Sequence, residues 1–446
     1  MKNILLIFII LSGTFCENMN AQEGFRFLKQ TKKRERINFR LINNLIVIPL
    51  EINNKKLSFI LDSGVSKTIL FNISQNDSIG LNDVKKVQLQ GLGNGESIAA
   101  LISKNNKVSI NNLESGNETI YVILKDYFDL SSRMGTTIHG IIGYNILKNF
   151  IVKTNYNTKK IDFYNPKTYK YKKCRKCETF PIQFYRNKPY INVQIQLDTI
   201  GNKLTDVKLL VDSGGSDALW LFEGTKENIK TPIRFFSDIL GEGLSGTIYG
   251  NRSRVPKVKL NSFELENPTV SFLDSISTKN ARNYKGRNGS IGAGILNRFI
   301  VWFDYPNKKL TLKKNRSLKR DFNYNMSGLE VVYNGKQLIK EKEIISFTDA
   351  FKRKVNSNNS VSFISSFSFR FKPSFKISSV VKGSPADKAG LLKNDFISRI
   401  NGKPIYDYTL GQIMQEFQRK DRAKIKMTIK RNGKKIKFEF RLEKKI

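Results

Sequence analysis

Leu57-Ser58-Phe59-Ile60-Leu61-Asp62-Ser63-Gly64 and Val207-Lys208-Leu209-Leu210-Val211-Asp212-Ser213-Gly214 carry one pattern twice, 150 residues apart. Each is a short apolar run stopped by Asp-Ser-Gly, which reads as a buried strand entering a tight turn. The duplication extends outward on both sides. Gly91-Leu92-Gly93 matches Gly241-Glu242-Gly243 at the same offset, each between β-prone stretches, as a hairpin tip would be. Gly140-Ile141-Ile142-Gly143 matches Gly289-Ser290-Ile291-Gly292 at offset 149. Ile146-Leu147 and Phe150-Ile151-Val152 then match Ile295-Leu296 and Phe299-Ile300-Val301. A repeat of this kind fixes the architecture before any motif is named. The expectation is a mostly β chain with two homologous lobes related by a pseudo-twofold axis.

Composition narrows the chemistry. With 446 residues, 39% of them hydrophobic, the chain is long enough for about three domains. Its formal charge is +39, but the basic residues are spread over every segment, so no nucleic-acid footprint is read and no nucleic-acid partner is expected. A polyanion-binding role would rest on charge alone. Lys2, the apolar run Ile4 to Leu11 and the polar stretch ending in Ala21 form a secretory leader, with cleavage expected after Ala21. Phe15 before Cys16 argues against a lipid anchor there. No later apolar run approaches the roughly 18 residues a transmembrane segment needs. The reading is of an exported protein, periplasmic or extracellular.

Beyond the leader only Cys174, Cys177 and the single histidine, His139, remain as soft ligands. Zinc needs four, so no metal and no cofactor are expected. Cys174 and Cys177 are a local disulfide or two idle thiols. Carboxylates are left as the leading catalytic groups, and His139 is read as structural.

Two Asp-Ser-Gly turns, each after an apolar strand and each followed about 80 residues later by Ile-Gly, resemble the retropepsin-like aspartic peptidases over roughly residues 37 to 315. The resemblance implies a catalytic pair, Asp62 and Asp212. Ser63 and Ser213 would hold the loops in register, with Gly64 and Gly214 allowing close backbone approach. Gly91, Gly93, Gly241 and Gly243 would lie in flaps over a cleft that takes polypeptide substrates in extended conformation. Two carboxyls held close cannot both ionise and share one proton, which suits them for activating water. Val65 and Gly215, the residues after each motif, lack the hydroxyl that pepsin-like enzymes place there, unless Ser66 or Ser216 bends in. The expected pH optimum therefore lies between mildly acidic and near neutral. The alternative from another class is a non-catalytic peptide-binding scaffold of the cell envelope.

Ile377 to Ala386, Ala389-Gly390-Leu391-Leu392, Asn394 to Ile397 and Ile400-Asn401-Gly402 resemble a PDZ domain of the kind attached to bacterial peptidases. Ser327, Gly328 and Leu329 are its candidate carboxylate loop, and Lys340 to Lys372 is a basic, Ser/Asn-rich insertion. Protein C-termini are the implied partners, for substrate docking, for regulation, or for docking to another envelope protein. The expected layout is 1–21 leader, 22–36 basic N-terminal arm, 37–166 lobe 1, 167–180 linker, 181–315 lobe 2 and 321–446 PDZ domain.

Overall fold

Asparagine pairs start the fold locally. Asn43-Asn44 and Asn53-Asn54 have φ of 48°, 68°, 47° and 69°. Both pairs sit in two-residue loops, where both positions need positive φ and asparagine tolerates it well. They join Arg40–Ile42, Leu45–Ile52 and Lys55–Leu61 into a meander. Arg186-Asn187 makes the same turn between Gln183–Tyr185 and Lys188–Gln196 in the second repeat.

This computed structural model describes residues 24–446 except 74–78, 90–96, 125–128, 244–245 and 348–361. The leader and Cys16 lie outside the described residues. Lobe 1 is a nine-stranded sheet in which Gly140–Ile142 lies between Lys55–Leu61, parallel to it, and Thr68–Leu70. Lobe 2 repeats this in a ten-stranded sheet, with Gly289–Gly292 between Leu204–Asp212 and Leu219–Phe222.

A third sheet ties the lobes together. Its six strands run Cys177–Pro181, Lys309–Lys314, Phe299–Asp304, Ile151–Asn155, Lys160–Tyr164 and Arg34–Asn38. The closing hairpins of the two repeats pair directly, Ile151 with Asp304 through Asn155 with Ile300. One apolar cluster accordingly runs from Phe25 to Phe322 across both lobes. The stretch expected to be an arm is built into this body. Phe25 and Phe27 are buried, and Arg36 donates to both carboxylate oxygens of Asp162 at 2.6 and 3.1 Å. The linker is likewise partly structural: Cys174 and Cys177 form a disulfide, and Cys177 opens the strand paired with Lys309–Lys314.

The core changes after Phe322. Tyr324 and Met326 belong to a second cluster that ends at Ile446. That cluster packs the strands Leu329–Phe347, Ser362–Val380, Phe396–Ile400, Lys424–Arg431 and Lys434–Arg441 against the helix Leu410–Phe417. The helix starts on a capping box, Thr409 with Gln412, which satisfies two otherwise orphaned backbone donors. The insertion continues the first two strands as a long hairpin paired out to Phe347 and Ser362. Alternation, hidden by its composition, leaves Phe367, Phe369 and Phe371 exposed on one face. Among the described residues no helix is long and apolar enough to cross a membrane.

Candidate active site

The two Asp-Ser-Gly turns meet at the lobe interface. Asp62 follows the strand Lys55–Leu61, and its N–H donates to the Ile142 carbonyl at 2.8 Å. Asp212 ends its own strand opposite Gly292. The Ile-Gly segments thread so close beneath the turns that side chains are excluded: a Cβ on Gly143 would lie 2.0 Å from the Asp62 carbonyl oxygen. Gly214 faces the other lobe, and a Cβ there would lie 2.2 Å from the Asp62 carboxyl carbon. These contacts explain both glycines.

A reciprocal set of hydrogen bonds locks the turns together. The Ser63 hydroxyl donates to the Val211 carbonyl at 2.7 Å and accepts from the Ser213 N–H at 3.0 Å. The Ser213 hydroxyl donates to the Leu61 carbonyl at 3.0 Å and accepts from the Ser63 N–H at 2.9 Å. Both serines are buried. The Tyr305 hydroxyl adds a long contact to the Ser63 carbonyl, 3.4 Å.

The carboxyls differ in their surroundings. Asp62 Oδ1 accepts the Gly64 N–H at 2.6 Å, whereas Asp212 Oδ1 accepts both Gly214 and Gly215 N–H, at 3.1 and 2.9 Å. Burial, and after it the Asp212 charge, push the Asp62 carboxyl up to about 8, against the Gly64 hydrogen bond and the Lys188 charge; a side-chain hydrogen bond with Asp212 adds to the rise. Two carboxyls this close favour a single shared proton. Among the described residues neither Ser66 nor Ser216 donates its hydroxyl to an aspartate. The backbone N–H of Gly215 does what a side chain there cannot.

His139 and Asn288 occupy equivalent positions and do the same work. His139 Nδ1 accepts the Ser58 N–H at 3.0 Å, and Asn288 Oδ1 accepts the Lys208 N–H at 2.9 Å. Each pins the Ile-Gly strand to the strand that carries the aspartate. Ser290, which replaces an apolar residue of the first repeat, is explained by Arg287. That guanidinium is buried, donates to Ser290 Oγ at 2.7 Å and the Gly289 carbonyl at 3.1 Å, and lies 4.9 Å from the Phe222 ring centroid. Sequence reasoning passed over Arg287 and Lys188: the repeat offset of 149 sets Arg287 against Ile138, but Lys188 answers to Leu45 only through the strand pairing of the two lobes.

Gly91 and Gly93 lie outside the described residues. Gly241 and Gly243 are in the hairpin Phe236–Gly243 with Gly246–Arg254, which slips register between Ile239 and Gly241. A cavity of about 820 Å³ runs from Gly214, Gly215 and Leu240 to Gly328, Leu329 and Met414 of the C-terminal domain. Ser327 is buried, donating to Asn325 Oδ1 at 2.7 Å and accepting from the Leu329 N–H at 3.0 Å. Phe236 at the base of the lobe 2 hairpin packs on Tyr324, with ring centroids 5.5 Å apart, and Arg133 of lobe 1 pairs with Glu330 at 2.6 Å.

The profile of the aspartyl protease family matches residues 48–146, and that of the PDZ domain matches residues 376–431. Two curated proteins, each described as a probable CtpA-like serine protease, are similar over short stretches. The one from Staphylococcus aureus strain COL is 29% identical over 68 residues, 15% of this chain and 14% of that protein. The one from Staphylococcus saprophyticus is 38% identical over 58 residues, 13% and 12% of the two chains. The chain thus matches about a seventh of the length of these relatives. The crystal structure of an aspartic proteinase from Irpex lacteus superposes with a TM-score of 0.43 at 14% identity, covering 65% of this chain and 100% of that one. The chain thus carries a segment similar to the aspartyl protease family, which holds the first of its two Asp-Ser-Gly turns, and a PDZ-type segment within its C-terminal cluster.

Proposed function

We propose that the chain is an exported aspartic endopeptidase in which Asp62 and Asp212 jointly activate water. The observation that carries this reading is the meeting of the two Asp-Ser-Gly turns at the lobe interface, held by four serine contacts across it. Asp212, with two backbone donors on one oxygen, holds the negative charge, and Asp62 holds the proton. The Asp212 carboxylate takes a proton from water as the water oxygen attacks the scissile carbonyl carbon. Asp62 gives its proton to the carbonyl oxygen, forming a neutral tetrahedral diol. The C–N bond then breaks as the proton on Asp212 passes to the leaving nitrogen, and a diol hydroxyl returns a proton to Asp62. Nothing is consumed but water.

The PDZ domain serves peptide docking or control of the peptidase. Its loop residues Gly328 and Leu329 line the same cavity as Gly214 and Gly215, which favours a role linked to the cleft. The test is to incubate the mature chain with a diverse peptide library across pH, beside Asp62→Asn and Asp212→Asn. Internal cleavage by the wild type alone is expected. Cleavage that survives in either variant overturns the assignment.

A further inference from the structure

The pseudo-twofold axis relates lobes whose backbones agree but whose side chains beside the aspartates do not. In lobe 1 the antiparallel pairing of Val47 with Ile60, continued by two residues, sets Leu45 across from Asp62. In lobe 2 the pairing of Tyr190 with Leu210, continued in the same way, sets Lys188 across from Asp212. Residues directly opposite on an antiparallel pair project from the same face. The second difference lies two residues before the Ile-Gly strands, where lobe 1 has Ile138 and lobe 2 has Arg287. Leu45 and Ile138 are both buried in an apolar cluster with Val47, Ile60 and Ile69. At both positions lobe 2 carries a cation instead.

From this asymmetry we propose that Lys188, backed by Arg287, forms a basic subsite beside Asp212 that selects an acidic side chain, Asp or Glu, next to the scissile bond on the lobe 2 side, while Leu45 and Ile138 keep the lobe 1 side apolar. Lys188 is half-buried, and its ammonium makes no hydrogen bond or ion pair among the described residues. The charged groups facing it are Asp62, Asp212 and Arg287, and those facing Arg287 include Tyr190 and Asp212. Burial, and after it the Arg287 charge, lower the Lys188 ammonium, while the two aspartates hold it up. With one proton shared by the aspartates, two cations face one negative charge, and a substrate carboxylate supplies the missing one. Arg287 is spent on Gly289 and Ser290 and acts through position, leaving Lys188 as the contact.

This rests on the endopeptidase reading, so its test is read by binding as well as by cleavage. Peptide pairs differing only in Glu or Gln beside the central bond are made both as ordinary peptides and with that bond replaced by a reduced amide. The wild type is expected to bind the Glu form at least about tenfold more tightly, the scale of one charge-assisted hydrogen bond. Lys188→Leu should bring the two forms within about twofold, Lys188→Arg should keep the preference, and Lys188→Glu should turn it toward Lys. Equal binding of Glu and Gln by the wild type, or a preference untouched in folded Lys188→Leu, overturns the subsite. Preferential binding without cleavage of the ordinary peptides would instead overturn the endopeptidase reading and leave the subsite standing.

Discussion

Ser213→Ala isolates the contacts that hold the two lobes in register. The Ser213 hydroxyl bonds the Leu61 carbonyl at 3.0 Å and the Ser63 N–H at 2.9 Å, and the residue is 2% exposed. Removing it leaves one buried acceptor and one buried donor unmet, each costing about 1–3 kcal/mol, so the expected loss is about 2–4 kcal/mol after partial relaxation. Trp220 and Trp302 are the only tryptophans and both lie in the lobes. Tryptophan fluorescence during urea unfolding therefore follows the lobes and not the PDZ domain. With a slope near 3 kcal/mol per molar, the midpoint should fall by about 1 M. Ser213→Thr keeps the hydroxyl and should recover most of the loss. A midpoint unchanged by Ala, or Thr as damaging as Ala, refutes the reasoning.

Three further outcomes are expected. Asp62 has a folded pKa raised to about 8, so the stability it contributes is complete below its unfolded value near 4 and fades as pH rises through 8. Asp62→Asn should consequently gain on the wild type between pH 4 and 8, by up to about 5 kcal/mol, in paired denaturation curves; a constant difference would contradict it. His139→Asn should be tolerated, because Asn288 makes the same bond in lobe 2, while His139→Leu should cost about 1–3 kcal/mol by stranding the Ser58 N–H, as urea unfolding would show. A chain ending at Asn323 should keep the lobes folded, with Phe322 in their core and against Arg298. Ending at Arg320 should lower the lobes' melting temperature, because it removes both Phe322 and the Asp321 carbonyl that accepts from Arg298; equal melting of the two would place the boundary elsewhere.

Much of this was legible in the sequence because the repeat is written in local chemistry. Apolar strand, Asp-Ser-Gly turn and Ile-Gly strand recur in order, and glycine is forced wherever a Cβ would strike backbone, as at Gly143. The sheet between the lobes was not legible. It depends on pairing Arg34–Asn38 with Lys160–Tyr164 and Ile151–Asn155 with Phe299–Asp304, partners more than 100 residues apart with no local signal. For the same reason the basic stretch before residue 37 passed for an arm, although Phe25 and Phe27 were there to be read. The insertion hid its alternation behind serine and asparagine, yet Phe367, Phe369 and Phe371 follow the period of a strand. Lys188 and Arg287 look like two more cations in a chain with 77 lysines and arginines. Only superposing the repeats shows that they stand where the other lobe is apolar.

The central claim, that two coupled carboxyls do the chemistry, is tested most directly by the pH dependence of kcat/KM on one good peptide substrate. Deprotonating the pair once activates it and deprotonating it twice disables it, so the profile should be bell-shaped with two macroscopic pKa values. Burial of Asp62 beside Asp212 raises its carboxyl to about 8, which puts the alkaline limb near pH 8 and the expected optimum between mildly acidic and near neutral. A profile peaking near pH 2 to 3, between the two values of the pepsin pair, or one with a single limb, would contradict the account.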